Sequence, residues 1–247
     1  MATAIISCSS EDDAGSVIDN SGSLEITFDN KVGSSELVLN SATYTNSSGE
    51  NYAVSELKYI ISNLVLIDIE GNEFVYPTAE SYFLINEENE SSLQLELTDI
   101  ETGEYQAVRF GFGIDQSNYP LNGVDNFVPQ AEEEGMLWSW SAGYIFLKFE
   151  GLYSLQTPPS EPFLYHVGSH GSNLDNYKEI ELQLPETLVI NSETQSELVL
   201  KADVAKIFDA AFTMSLEAVS SVQVDPANSP KIAENFSRAF SVLEVNN

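Results

Sequence analysis

Apolar and polar residues alternate repeatedly along this chain. Leu24-Glu25-Ile26-Thr27-Phe28 and Leu93-Gln94-Leu95-Glu96-Leu97 put every second side chain on one face, the period of a half-buried strand. Shorter runs predict further strands over residues 36–39, 103–112, 144–149, 179–184 and 197–200. Residues 55–69 are denser. Leu57, Ile60, Ile61 and Leu64 have helical spacing, after which 64–69 reads as a strand. Glu70-Gly71-Asn72 then predicts a turn and 73–76 a returning strand, together a hairpin. Two short helices are predicted near the C-terminus. Asp203 can cap one with Val204, Ile207, Phe208 and Phe212 on its apolar face. Ser229-Pro230 can open the other, with Ile232, Phe236 and Phe240 on one face. Residues 115–135 form a long irregular stretch rich in Asn, Pro, Gly and Glu, a length that predicts a functional or covering loop. The expected architecture is all-β: one β-sandwich domain, Ig-like or jelly-roll-like, over residues 23–247, with two short peripheral helices. Residues 1–22, rich in Ser, Gly, Asp and Asn from Cys8 onward, read as a truncated signal and a flexible tether.

Composition changes this picture in two ways. Nine Lys and Arg stand against 39 Asp and Glu, a net charge of -30, which disfavours nucleic acid and anionic lipid as partners and favours cations. Cys8 is the single cysteine, so an internal disulfide and a cysteine-based zinc or iron–sulfur centre are both excluded. Cys8 follows Ile5-Ile6-Ser7 and precedes Glu11-Asp12-Asp13. This resembles the lipidation site and acidic export tag of Bacteroidetes surface lipoproteins, with the start of the signal cut short. The expectation is a chain lipid-anchored at Cys8 in the outer membrane, facing the surface or the periplasm. No stretch approaches the roughly 18 apolar residues of a spanning helix.

The residues suited to specific chemistry are scarce and gathered. Both tryptophans, Trp138 and Trp140, and both histidines, His166 and His170, lie within 33 residues of one another. Two histidines cannot build a three-histidine zinc site. Phosphate-binding and dinucleotide glycine motifs and a nucleophile elbow are absent. No nucleophile is singled out, so the chain reads as a binding protein and not as an enzyme. Calcium is one metal the sequence admits, through the oxygen-rich stretches 68–73 and 115–125, although neither fits an EF-hand loop. Copper is the other, since imidazole suits it. A two-imidazole site needs a further donor: Asp175, a backbone carbonyl, or a product of tryptophan. The competing reading is a non-catalytic glycan- or protein-binding sandwich that uses loop 115–135 and exposed tryptophan faces, with no metal. A plain core role for Trp138 and Trp140 also fits their strand spacing.

The order of motifs resembles the copper-binding MbnP-like family, whose relatives include CorA and MopE of methane-oxidising bacteria. The matching stretches are Tyr44-Thr45-Asn46 with Gly49, Leu57-Lys58-Tyr59-Ile60-Ile61-Ser62-Asn63-Leu64, Gly103-Glu104-Tyr105, Arg109 to Asp115 with Asn118, Met136-Leu137-Trp138-Ser139-Trp140, Gly143 to Lys148, Glu150-Gly151, Phe163 to Gly168 and Ile232 to Phe236. The resemblance implies copper(I) held by histidines and by a kynurenine made from a tryptophan, with a di-haem enzyme of the MbnH type as the oxidising partner. Carried over by motif, Trp138 is the modified residue and His166 a ligand, with Trp140 the second choice for modification. The family's histidine two residues after the modified tryptophan is replaced here by Trp140. A second family histidine, before the last helix, is replaced by residues 224–230; His170 can compensate, without support from a family motif. A monomer is expected.

Overall fold

The computed structural model of the chain describes residues 20–115, 127–138, 143–170 and 173–247. Its first strands are β1 (Ser21–Val32), β2 (Ser35–Glu36), β3 (Tyr44–Thr45), β4 (Asn51–Asp68), β5 (Glu73–Val75), β6 (Tyr82–Asn86), β7 (Gln94–Glu101) and β8 (Gly103–Phe112). Helix α1 (Val128–Glu133) precedes β9 (Leu147–Ser154), β10 (Glu161–Val167), β11 (Lys178–Ile190), β12 (Ser196–Asp203) and β13 (Ser221–Val222). Helix α2 (Ser229–Ser237) and β14 (Phe240–Asn246) close the chain.

Two sheets form the sandwich. In the smaller, β1 lies parallel to β12 and antiparallel to β2 and β7, with β14 at the edge beyond β12. The larger runs β11-β8-β4-β9-β10-β13, with β3, β5 and β6 also pairing along β4. The hairpin anticipated at 64–76 is present as β4 and β5. The helical spacing at 57–64 is instead part of β4, an 18-residue strand. Its middle is buried on both sides, from Tyr59 to Ser62 without a break. A strand covered on both faces loses the alternation that marks a half-exposed one.

Aromatic rings fill the space between the sheets. Phe236 of α2 meets Tyr59, Phe112 and Phe240 edge-on, with ring centres 5.2, 5.1 and 5.2 Å away. Burying such a side chain contributes about 1.5–3 kcal/mol. A second group joins Tyr52, Phe149 and Phe208. Of the two C-terminal helices expected, the one at Ser229-Pro230 forms. The one capped by Asp203 is a single 3-10 turn, Val204–Ile207, with the Asp203 side chain accepting from Ala205 N. Buried Asn235 takes the amides of Ala211 and Phe212, which a continuing helix would have used. Within the stretch expected to be irregular, Val128–Glu133 is helical, opened by Pro129 in its first turn.

Glu50, 2% exposed, clips a turn to the far end of the chain. It accepts hydrogen bonds from Asn46 Nδ2, Ser215 Oγ, Leu216 N and Glu217 N at 2.6, 2.7, 2.8 and 2.8 Å. Burial pushes its carboxyl up, but the hydrogen bonds outweigh it and hold the group below the ordinary carboxylate value.

Candidate metal centre

Strands β9 and β10 pair so that His166 faces Lys148 and Leu164 faces Glu150. His166 and Glu150 are therefore diagonal neighbours on one face, and His166 Nε2 lies 2.6 Å from Glu150 Oε1. A carboxylate only accepts, so the proton of this contact belongs to Nε2. In the neutral ring Nδ1 then carries the lone pair. The same face carries Lys58, Lys148 and Glu56. Lys58 pairs with Glu56 at 3.2 Å and with Glu134 at 3.0 Å. The strip beneath the histidine is thus close to charge-balanced.

Over this face runs the segment after α1. Ile145 N bonds Met136 O, Leu137 bridges Tyr144, and Trp138 N bonds Gly143 O at 3.1 Å. This short hairpin brings Trp138, 7% exposed, against the end of β10. Phe127 stacks on Tyr144 with centres 5.9 Å apart, which fastens α1 to the same hairpin.

The connection leaving β10 turns a second imidazole onto the indole. Asn176, fully buried, donates from Nδ2 to Gly168 O at 2.8 Å and from its backbone N to Ser169 Oγ at 2.9 Å. His170 N bonds Leu174 O at 2.8 Å. Gly168 is required there: a Cβ would lie 2.3 Å from Tyr144 O and 3.0 Å from Trp138 Nε1. The outcome is one indole flanked by two imidazoles, with ring centres 6.1 Å from His166 and 5.3 Å from His170. Burial pulls the His170 imidazole below its ordinary pKa, favouring the neutral form a metal requires.

Of the expected site residues, Trp138, His166 and His170 converge. Trp140 and Cys8 lie outside the described residues. Asp175 is not turned to the cluster's service; its Oδ1 accepts from Ser169 Oγ and from Tyr177 N. The calcium reading finds no support in the geometry at 68–73. There the Asp68 carboxylate accepts from the backbone of Glu70 and Asn72 and from the Asn72 side chain, capping the hairpin tip. In the second stretch Asp115 accepts from Asn63 Nδ2, and residues 116–125 lie outside the described residues. Among the described residues, no group of three or more His, Cys, Asp and Glu side chains is placed to hold a metal. Glu150, Gly168 and Asn176 were not singled out as site residues by the sequence. Glu150 stood in the sequence only within the Glu150-Gly151 match, and its place beside His166 becomes visible once the β9–β10 register is known.

The MbnP family model matches residues 21–226. The chain belongs to the MbnP family. Its fold is also that of the solved structure of MbnP from Methylosinus trichosporium, with a TM-score of 0.52 over 86% of this chain and 87% of the other, at 12% sequence identity. No curated protein matches. The MbnP match contains Trp138, His166, His170 and Glu150 and ends before α2.

Proposed function

We propose that this MbnP-family chain is a copper-binding protein and that His166 and His170 hold the ion beside Trp138. The observation that carries the reading is the convergence of both histidines of the chain on one buried indole. Two imidazoles suit copper, and the residues fit a third nitrogen donor at position 138. The parent indole N–H donates only. Opening the indole to kynurenine leaves an aryl amine, whose nitrogen can ligate. That conversion needs an external oxidant, and a di-haem enzyme of the MbnH type is the proposed partner. Glu150 acts as a positioning residue, fixing the His166 tautomer as outer carboxylates do for metal-bound histidines. The protein is proposed to bind copper without catalysing a reaction, as a monomer anchored through Cys8 at the outer membrane.

The support for copper over a glycan-binding sandwich is the burial of Trp138. At 7% exposure it offers no stacking face. Copper(I) titration of protein purified from its own host, against a competing chelator, tests the assignment. His166→Ala and His170→Ala are each expected to weaken binding at least tenfold. Affinity unchanged in both variants would remove the histidines from the site.

A further inference from the structure

A shallow cleft of about 330 Å³ opens beside α2 and the start of β11. Phe212 and Pro230 form its apolar floor, and Lys178, Lys231, Glu234 and Arg238 its rim. Three of the nine basic residues of a chain with net charge -30 are therefore collected at one place. Glu234 binds Lys178 at 3.2 Å through one oxygen and Arg238 at 2.7 Å through the other. Lys231 makes no ion pair among the described residues; burial pushes the Asp225 carboxyl up, and hydrogen bonds from Asn228 and Ala227, helped by the Lys231 charge, hold it below its ordinary value.

Phe212 is 43% exposed, the one aromatic ring among the large apolar side chains left exposed in the described residues. The backbone that presents it is fixed. Fully buried Asn235 accepts from Phe212 N at 2.8 Å and Ala211 N at 2.9 Å, and donates to Phe212 O at 2.7 Å and Ile207 O at 3.0 Å. A primary amide has two donors and one carbonyl oxygen with two lone pairs, so all four capacities are spent on holding this loop. A backbone already held in place loses little conformational entropy when the ring it presents is covered.

We propose that this cleft docks an acidic segment of a partner protein, with an apolar side chain seated on Phe212 and Pro230 and flanking carboxylates on Lys231 and Arg238. Charge complementarity names the occupant. The rest of the surface repels anions, and the cleft carries an excess of two positive charges. A single small anion is less well served, because the point where Lys178 and Arg238 converge is already filled by Glu234. What remains is an apolar floor with cationic groups beside it, which matches acidic and apolar side chains presented together along a peptide. None of these residues belongs to the Trp138 cluster, so the proposal stands apart from copper binding.

The test is a fluorescence-anisotropy titration of the purified chain with three labelled peptides: one alternating Glu and Asp around a central Phe, the same with Ser for Phe, and a Lys/Arg counterpart of the first. The first peptide is expected to bind tightest. Phe212→Ser and Lys231→Glu, both changes at exposed or half-exposed positions, are each expected to weaken it by about tenfold, the effect of about 1.4 kcal/mol. Circular dichroism checks that both variants stay folded. Equal affinity in wild type and both variants, absence of binding, or preference for the basic peptide would overturn the proposal. So would light scattering that shows a dimer dissolved by Phe212→Ser, since the occupant would then be a second copy of this chain.

Discussion

Trp138 could be an ordinary core residue, and its neighbours argue for more. A ring packed only for burial is usually met by other apolar groups. Here two imidazoles face it, and a glycine keeps a Cβ away from its Nε1. One imidazole is tied by Glu150. Glu150→Ala is expected to lower copper affinity by about 10–100-fold, and Glu150→Gln to recover part of the loss because an amide oxygen still accepts from Nε2. Imidazole nitrogen-15 shifts in copper-free protein separate positioning from simple destabilisation. Wild-type His166 should be the Nε2–H tautomer, and Glu150→Ala should lose that preference. An unchanged tautomer would mean that Glu150 does not set the ring. At this scale the candidate site was partly legible. Scarcity pointed to Trp138, His166 and His170. Glu150 is one carboxylate among the chain's 39 acidic residues; the Glu150-Gly151 match marked its position, and only cross-strand register places it beside His166.

Elements were legible where one face meets solvent and illegible where local pattern was overridden. β1 and β7 show their alternation openly. β4 does not, since its centre is covered on both sides and its apolar run has no period of its own. The turn after Asp203 had the composition of a helix, but Asn235, distant in sequence, captured the amides beyond it. β6 and β10 were not anticipated as strands, nor was β14, despite the alternation of Phe240-Ser241-Val242. The Glu50 clip is likewise a long-range device, joining the β3–β4 turn to residues 215–217. Its carboxyl titrates lower in the folded chain than in the unfolded one. Its contribution is therefore complete above the unfolded value and lost as pH falls through the folded one. Glu50→Gln should reduce stability at neutral pH by about 1.5–3 kcal/mol, the range for hydrogen bonds to a charged group. Denaturant unfolding at several pH values should also show a smaller loss of stability for the variant on acidification. Parallel pH profiles for the two proteins would show that Glu50 is not the responsible group.

The whole molecule carries a charge of -30, which repels itself more in the compact state than in the unfolded one. Raising ionic strength from about 0.01 M to about 0.1 M shortens the screening length from about 30 to about 10 Å, so the melting temperature should rise with salt. A fall would show that attractive surface pairs, such as those of Arg109 with Glu73, Glu179 and Glu181, outweigh the net repulsion. The same field concentrates cations around a site whose own groups are close to neutral. The most direct test of copper binding at Trp138 is made on protein purified from its own host grown with copper: the metal content per chain, together with the mass of the peptide that contains residue 138. One copper per chain and a kynurenine mass at position 138 are the predicted result. A chain without copper and with an intact tryptophan at 138 would contradict the account.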